Sequence, residues 1–569
     1  GYVATGGAND AALYNAPDLT LTGADVGGTL TLSSGGSILQ TGAIHAGALN
    51  AATTNGDIVL SNTGNAFATA ALSTSGTDDA TLYDASNLIV SSANIGGTLN
   101  LSGAGTIGQS GAILAAALNV ATTGGAITLT NTGNNFATAS LATGGTDDAS
   151  LYDASDLTVT SANVGGTLNL SGGGAVSQSG AIHSNGLNVT ATGAITLANT
   201  GNTFATASLS TPGGATLYDA ANLTITGATV GGALILSGGG SIGQSGAIHA
   251  DALSVTTTNG AIVLTNAGNA FNTATLVTSG ADDASLYDSL SLTIAGANVG
   301  GDLSLSGAGS IGQTGAILAA TLNVATTGGA IALTNAGNSF GPATISTSGT
   351  DNASLYDSSD LTVASANVGG TLTLSSGGAI GQTGAIHAAA LNAATTAGAI
   401  MLTNSGNNFG TVTLSTSGTD DASIFDATNL VVASANIGGD LTLSVDGSLG
   451  QTGAIHAASL NATTTGGAID LTNAGNSFAI ATLATAGTDN ASLYDAVDLT
   501  IAGATVGGTL TLSGGGAIGQ SGAIHAASLV ATTTHGALTL TNAGNTVATA
   551  TLSTSGADNA SFTDASNLI

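Results

Sequence analysis

Paired aspartates are the residues of this sequence whose types and spacing most resemble a chemical site. They occur in the segments GTDDATLYD and GTDDASLYD, each with a further aspartate five residues after the pair. Hard oxygen ligands at a turn can bind Ca²⁺, so the pattern provides six weak Ca²⁺ candidates: Asp78, Asp79, Asp84, Asp147, Asp148 and Asp153. The spacing matches neither an EF-hand nor the nonapeptide Ca²⁺ roll. A solvated charged turn is the alternative interpretation, and no other cofactor is indicated.

The charge of the chain excludes several classes of partner. Its 569 residues include no Lys, Arg, Cys or Trp, and 31 aspartates bring the net charge to −31. Nucleic-acid affinity depends on Lys and Arg displacing counterions, so we predict no nucleic-acid partner. No apolar run reaches the roughly 18 residues of a membrane-spanning helix, so we predict no membrane insertion. Hydrophobic residues make up 43% of the chain and alternate with polar ones, a pattern that is not typical of disordered chains.

The acidic segments belong to an internal repeat. The aromatic residue of the LYD tripeptide recurs with a spacing of 69 (83 − 14), or 66 once (218 − 152), at Tyr14, Tyr83, Tyr152, Tyr218, Tyr287, Tyr356, Phe425 and Tyr494. A Gln and an Asn marker keep the same period, starting from Gln40 and Asn65. We predict a single repetitive domain, 1–569, with partial units at both ends and full units at 14–82, 83–151, 152–217, 218–286, 287–355, 356–424, 425–493 and 494–562.

Alternation within each unit predicts short strands. In GTLNLSG, Leu168 and Leu170 fall on one face, with Thr167, Asn169 and Ser171 on the other. Gly, Asn, Asp and Ser punctuate this pattern as turns require. We predict an all-β fold, a parallel β-helix (β-solenoid) of about eight 69-residue repeats with roughly three coils each. Coils stack about 4.8 Å apart, which places equivalent residues about 14 Å apart.

Three markers are predicted to be structural. The LYD aromatic and a second aromatic position, at Phe67 and its counterparts, should fill inward or corner pockets. The Gln and Asn amides should pair with neighbouring coils, as in amide ladders. Glycine pairs such as Gly96-Gly97 should mark turns with positive φ or close backbone approach.

The histidines are predicted to have no chemical role, and no catalytic motif stands out in the sequence. Six of the seven histidines follow Gly-Ala-Ile, and Leu114 and Leu318 take the same position in two units. A zinc ion needs three or four ligands within about 2.1 Å, and histidines about 14 Å apart cannot share one. We therefore expect this His or Leu position to be a partly buried spacer. A carbohydrate lyase is the strongest enzyme alternative on fold alone, but such enzymes usually need Arg or Lys. We therefore predict that the chain is not an enzyme.

The repeat GAITLTNTGNNFATASLATGGTDDASLYDASDLTVTSANVGGTLNLSGGG resembles that of filamentous-haemagglutinin-like exoproteins of Gram-negative bacteria. The resemblance covers essentially the whole chain. It implies a right-handed parallel β-helix shaft, secretion of the two-partner type to the cell surface, and a role in adhesion or biofilm. No functional residue of that family maps onto a position of this sequence.

These observations predict a non-enzymatic structural fibre or adhesin shaft, extracellular at a bacterial cell surface. The sequence starts and stops inside a repeat, and uncapped solenoids expose strand edges, so we expect a segment of a longer protein or filament. The expected partners are further copies, head to tail or laterally, and host or cell-surface glycans or proteins. The alternative is a surface-layer-like or Ca²⁺-dependent glycan-binding repeat array.

Overall fold

The computed structural model of the chain describes residues 1–566, and every regular element in that range is a β-strand. The chain divides into two compact units, Gly1–Tyr287 and the residues from Asp288 onward. Each unit consists of parallel strands stacked turn upon turn, which confirms the predicted parallel β-solenoid of eight repeats. Among these residues no helix is long and apolar enough to span a bilayer. The last three residues of the predicted 1–569 domain lie outside the described residues.

One repeat contributes seven strands, which we label in chain order. They are β1 (Ala80–Asp84), β2 (Leu88–Asn94), β3 (Thr98–Gly103), β4 (Ile107–Gln109), β5 (Ile113–Thr122), β6 (Ile127–Leu129) and β7 (Asn135–Ala142). Strands β2 and β3 merge into a single strand in three other repeats, at Leu157–Gly172, Leu361–Ser376 and Leu499–Gly514. In one repeat the counterparts of β5 and β7 are each split in two, at Ile317–Ala319 with Thr321–Thr326 and at Ser339–Phe340 with Ala343–Ser346, and Gly23–Ser34 joins the end of β2 to β3. The other strands recur with small shifts in their ends.

The remaining strands of the first unit are Tyr2–Ala4, Ala11–Asn15, Leu19–Leu21, Gly23–Ser34, Ile38–Gln40, Ile44–Thr53, Ile58–Leu60, Ala66–Ser73, Ala149–Asp153, Val176–Gln178, Ile182–Ala191, Ile195–Leu197, Thr203–Thr211, Ala215–Asp219, Leu223–Val230, Ala233–Gly238, Ile242–Gln244, Ile248–Thr257, Ile262–Leu264, Ala270–Val277 and Ala284–Asp288.

Those of the second unit are Leu292–Asn298, Asp302–Gly307, Ile311–Gln313, Ile317–Ala319, Thr321–Thr326, Ile331–Leu333, Ser339–Phe340, Ala343–Ser346, Ala353–Asp357, Ile380–Gln382, Ile386–Thr395, Ile400–Leu402, Asn408–Ser415, Ala422–Asp426, Leu430–Asn436, Asp440–Val445, Leu449–Gln451, Ile455–Thr464, Ile469–Leu471, Ser477–Thr485, Ala491–Asp495, Ile518–Gln520, Ile524–Thr533, Leu538–Leu540, Thr546–Ser553 and Ala560–Phe562.

The core is a stack of aliphatic side chains inside each turn. Leu99 pairs in register with Leu118, which pairs with Ala139, and all three are buried. Alternate residues along each strand point inward, so the apolar set of one turn lies directly on that of the next. Burying a Leu contributes about 1.5–3 kcal/mol, and this contribution recurs in every turn.

The backbone pairing shows how much of the chain makes one turn. On one face Leu88 pairs with Ile107, Ile107 with Ile127, and Ile127 with Ala149. The sequence separations of these pairs are 19, 20 and 22 (107 − 88, 127 − 107 and 149 − 127), so one turn advances the chain by about 20 positions. A 69-residue repeat therefore holds about three and a half turns, in agreement with about 28 turns for eight repeats.

The half turn places equivalent residues of neighbouring repeats on opposite faces. Ala149 pairs next with Leu168, which is the counterpart of Leu99 (168 − 69) and not of Leu88. Leu99 lies in β3 and Leu88 in β2, on the two sides of one turn. The face that carries β2 in one repeat thus carries β3 in the next.

Seven turns return the chain to the same face. From Leu168 the pairing continues through Leu187 and Ala207 to Ile225, which lies in the counterpart of β2. Two repeats therefore form the true structural period, which is about 34 Å at about 4.8 Å per turn.

The prediction of roughly three coils per repeat is wrong by this half turn. Three coils in a 69-residue repeat would need about 23 residues per coil, whereas Leu88 pairs with Ile107, only 19 positions further on (107 − 88). Equivalent residues of neighbouring repeats are consequently about 17 Å apart along the axis, not about 14 Å, and lie on opposite faces.

A double-cysteine variant tests the length of the turn. Asn100 and Asn119 pair in register on adjacent turns, so N100C/N119C should cross-link upon oxidation or with a short bis-thiol reagent. The control N100C/T123C has the 23-residue separation of a three-coil repeat. It should stay unlinked, because Thr123 lies four residues, about 13 Å, further along the strand direction than Asn119. The chain contains no cysteine that could interfere. Cross-linking of the control alone would contradict the pairing.

Candidate functional site

The acidic turn follows strand β7 and is fixed by contacts of its own. Gly145 has a φ of 55°, in the left-handed region that favours glycine. The Thr143 hydroxyl donates to the Asp147 carbonyl oxygen at 2.8 Å, and the Asp147 N–H donates to the Gly144 carbonyl oxygen at 3.2 Å. These contacts set the direction in which the carboxylates of Asp147 and Asp148 leave the turn.

The paired carboxylates bind backbone N–H groups on both sides of their own turn. Asp147 Oδ2 accepts from the Gly125 N–H of the preceding turn at 2.6 Å. Asp148 Oδ1 accepts from the Thr167 N–H of the following turn at 2.7 Å. The previous repeat has the same two bonds, from Gly56 N–H to Asp78 Oδ2 at 2.7 Å and from Thr98 N–H to Asp79 Oδ1 at 2.6 Å. Each pair therefore links three consecutive turns.

The third aspartate of the motif is fully buried. Asp153 Oδ2 accepts from the Phe136 N–H at 2.7 Å, and Oδ1 accepts from the Ser155 N–H and hydroxyl at 2.7 and 2.8 Å. Asp84 makes the same three bonds with its own Phe and Ser. Because the chain has no Lys or Arg, backbone and hydroxyl donors rather than a cation bind both oxygens of this buried side chain.

The six Ca²⁺ candidates thus have backbone partners, and the structure does not gather them at one point. Within residues 1–566, no three Asp or His side chains form a group that could hold a metal ion. Three repeats have Asn at the second position of the pair, at Asn352, Asn490 and Asn559. Asn352 and Asn490 accept from the Thr371 and Thr509 N–H groups at 2.7 and 2.8 Å. The position therefore needs an acceptor oxygen and no charge. Ca²⁺ binding stays a prediction.

Sequence reasoning missed a further inter-turn aspartate position. Asp156 Oδ1 accepts from the Ala175 N–H at 2.7 Å, and its counterpart Asn87 accepts from the Thr106 N–H at 2.9 Å. A Cβ on Gly174 would overlap Asp156 Oδ1. The signal was available in the sequence, because an Asp or Asn is followed 18 positions later by Gly (174 − 156) both here and at the acidic pair (166 − 148).

The predicted close approach at the glycine pairs is confirmed. A Cβ on Gly165 would overlap the Gly145 carbonyl oxygen of the turn below, and a Cβ on Gly166 would overlap Asp148 Oδ1. The pair at Gly96-Gly97 meets the equivalent atoms. Glycine is required here because the neighbouring turn occupies the space of a side chain.

The predicted amide pairing is confirmed as a reciprocal bond between turns. Gln109 Nε2 donates to Asn134 Oδ1 at 2.8 Å, and Asn134 Nδ2 donates to Gln109 Oε1 at 2.9 Å. Asn134 is fully buried, and its Oδ1 also accepts from the Ile113 N–H at 2.9 Å. All eight Gln and Asn markers form the same pair. The pair satisfies backbone groups where strand β6 ends in a loop.

The two aromatic positions differ in their environment. Phe136 and its counterparts are buried, which confirms the prediction of a filled inward pocket. The prediction is wrong for the LYD aromatic, because Tyr152 lies between the inward Leu151 and Asp153 and therefore points outward, half-buried. Tyr14 is 74% exposed. The tyrosines are thus surface residues, whose side-chain direction follows from strand alternation.

The histidines after Gly-Ala-Ile are exposed, so the expected partial burial is wrong. Four of the six bond singly to the next turn: for example, His45 Nε2 lies 3.0 Å from the Gly64 carbonyl oxygen, and His183 Nδ1 lies 2.8 Å from the Thr203 hydroxyl. Their strand positions point outward, which is why Leu114 and Leu318 are also 42% and 40% exposed.

Two of the buried aspartates have a perturbed pKa. Burial raises the pKa of Asp219 above its usual value, although the N–H groups of Ala221 and Phe204 act in the opposite direction. Burial likewise raises the pKa of Asp495, against the N–H groups of Val497 and Phe478, and the nearby charge of Asp498 adds to the rise. Ionisation of both residues therefore costs folding free energy.

Comparison with known proteins finds one match. A family model described as repeats of unknown function (DUF5649) matches eight successive segments, residues 8–74, 77–143, 146–211, 213–278, 281–347, 350–416, 419–485 and 488–554. No curated protein and no solved structure matches the chain.

The amide pair can be tested with Asn134→Ala. This change leaves the Ile113 N–H and the Gln109 amide without their buried partner, and each unsatisfied group costs about 1–3 kcal/mol. We expect a lower urea midpoint and faster amide exchange in residues 107–134. The matched control is Asn119→Ala, since exposed Asn119 only donates to Asn100 Oδ1 at 2.8 Å and should lose at most about 0.5 kcal/mol. Equal effects of the two changes would contradict the buried role.

The raised pKa of Asp219 predicts a pH dependence that Asp219→Asn removes. Because the folded-state pKa is raised, the stabilisation by protonated Asp219 is complete below its unfolded pKa and is lost as the pH rises through the folded pKa. The Asn side chain stays neutral at every pH. Its NH₂ group faces a backbone N–H, which lowers the free energy of unfolding by an amount that does not change with pH. The stability difference between wild type and variant should therefore narrow from pH 3 to pH 7 in paired thermal denaturation. A difference that widens would mean that the N–H bonds of Phe204 and Ala221 outweigh burial.

Proposed function

The chain belongs to the family of repeats of unknown function, DUF5649, and on that premise we propose that it is a non-enzymatic structural fibre or adhesin shaft of a bacterial cell surface. The observation that carries this proposal is the linkage between turns. Besides the strand ladder, Asp147, Asp148 and Asp156 each bind a backbone N–H of a neighbouring turn. A stack linked in this way keeps its form along its axis, as a shaft must.

The state of the polar groups supports a structural role over a catalytic one. Buried Asp153 and Asn134 are saturated by backbone and amide partners. The depressions of the described surface are shallow, and one of about 330 Å³ is lined by Val431, Gly450, Gln451, Asp470 and neighbouring Thr and Asn residues. A substrate would find no enclosed site there.

The composition supports the extracellular part of the proposal. The resemblance of the repeat to filamentous-haemagglutinin-like exoproteins implies secretion to the cell surface. A chain without cysteine folds there without any disulfide step. Its charge of −31 keeps copies apart and soluble at neutral pH.

Surface labelling tests this proposal. In cells of the organism that encodes the chain, an antibody to residues 1–566 should label intact cells as strongly as permeabilised ones. A strain without the gene should lose the label and adhere less to surfaces. Labelling that requires permeabilisation would overturn the extracellular assignment.

Calorimetry separates the shaft from a Ca²⁺-dependent glycan-binding array. We expect no Ca²⁺ binding below 1 mM, because the carboxylates of Asp78, Asp79, Asp147 and Asp148 already accept backbone N–H groups. Heat from several sites per chain would favour the array. In that case D147N/D148N should remove one site, and N119A should remove none.

A further inference from the structure

Each outward-pointing LYD aromatic is followed along the axis by small side chains. Tyr83 pairs in register with Ser102, Ser102 with Ala121, and Ala121 with Ala142, and all four point outward. A large ring therefore precedes three turns, about 14 Å, of small residues. We call this outward surface, with the neighbouring column Thr81, Asn100, Asn119 and Ser140, the tyrosine face.

The small residues leave a depression in the tyrosine face. In this repeat it measures about 230 Å³ and is lined by Asn100, Ser102, Asn119, Ala121, Ser140 and Ala142. The equivalent depression of the preceding repeat measures about 320 Å³ and is lined by Asn50, Ala52, Ala71 and their neighbours. Tyr14 pairs in register with Ser33 at its edge and is 74% exposed. The face thus carries an outward-pointing ring, which is half-buried in the seven repeats after Tyr14, and beside it a recess.

In this repeat the tyrosine face has no charge, although the chain carries −31. Its outward residues in this repeat are Tyr, Thr, Asn, Ser and Ala, whereas Asp78, Asp79, Asp147 and Asp148 lie in the turns. Two copies of one acidic chain repel each other at their turns. They can approach through a face of this kind, which brings no carboxylates together.

The hydrogen bonds of the face favour a protein partner over a glycan. Asn119 Nδ2 donates to Asn100 Oδ1 at 2.8 Å, and Asn100 Nδ2 donates to the Thr81 hydroxyl at 3.3 Å. In the next repeat Asn188 donates to Asn169 in the same way, at 2.8 Å. These amides already bond along the axis, so fewer donors are left for sugar hydroxyls.

We propose that the tyrosine face binds the tyrosine face of a second copy, antiparallel, with each ring seated in the partner's recess. A ring and a recess on the same surface make it self-complementary, as a two-fold contact requires. The half turn per repeat adds a second consequence. Tyr14 and Tyr152 lie on one face of the first unit, and Tyr83 and Tyr218 lie on the opposite face. A copy bound on each side continues the contact, so association builds layers of shafts.

The available area is sufficient for a stable contact. On one side of the first unit two repeats contribute four turns each to the tyrosine face, which gives eight turns or about 38 Å at about 4.8 Å per turn. A five-residue strand is about 17 Å long. Their product is about 650 Å² per partner, or about 1,300 Å² in total, which lies within the range of about 1,200–2,000 Å² for specific interfaces. This proposal identifies a second copy of the chain as the lateral partner within the proposed fibre. The contact itself does not depend on the fibre function, and only its biological role rests on that proposed function.

Sedimentation of the whole chain tests the contact. At pH 7 and 0.15 M salt we expect concentration-dependent association that strengthens with salt, because salt screens the repulsion between acidic turns. Replacing every LYD aromatic by Ser should weaken association at least tenfold. The matched control replaces exposed apolar residues of two turns, Leu290→Ser and Val497→Ser, which are 54% and 47% exposed, and should leave association unchanged.

A second variant fills the recess and keeps the ring. Ala52, Ala121, Ala325 and Ala394 occupy the same recess position in four repeats, and replacing them by Gln should also weaken association tenfold while strand content in circular dichroism stays constant. A wild-type chain that stays monomeric, or association that both variants retain, overturns the proposal. Monomers that bind a neutral polysaccharide would identify another occupant and also overturn it. Cell-surface labelling is independent of all these outcomes, so the shaft function can stand while this contact fails.

Discussion

The parallel hydrogen-bond ladder between successive turns is the constraint on which the rest of this structure depends. A turn can form sheet hydrogen bonds only with the turns before and after it. Its backbone N–H and C=O groups must therefore find their partners in these two turns, about 4.8 Å away. The ladder accounts for the strands. At the corners, where the strands stop, Asp148 and Asp156 accept the N–H groups of Thr167 and Ala175 that the ladder leaves free. Glycine must stand beside these aspartates, because their side chains fill the space of a Cβ.

The same constraint explains why the acidic residues are all aspartate and why asparagine can replace some of them. A carboxylate one methylene from the backbone reaches the next turn and stays in the corner, as Asp147 does with Gly125. Asn352 supplies the same oxygen without a charge. The acidic character of the chain therefore arises largely from a requirement for short acceptors.

A mismatch between two lengths gives each compact unit of the protein two equivalent faces. The sequence repeats about every 69 positions, whereas the chain closes a turn in about 20. The remainder is half a turn, so Tyr83 and Tyr152 point to opposite sides. A repeat of a whole number of turns would have placed all tyrosines on one side and made a one-sided surface. The half turn instead distributes each feature evenly over both faces, as the proposed fibre with neighbours on both sides requires.

The sequence by itself determined the repeat, the strands, the parallel solenoid, the buried Phe136 and the pairing of Gln109 with Asn134, since each follows from a period visible in the residue order. Only the tertiary structure decided how many turns a repeat contains, because the register between Leu88 and Ile107 depends on how corners of unequal length close. It also decided the use of Asp147 and Asp148. A pair of carboxylates is compatible with a metal site or a solvated turn, and the backbone N–H groups that they bind belong to residues about 20 positions away, brought to them only by the closed turn.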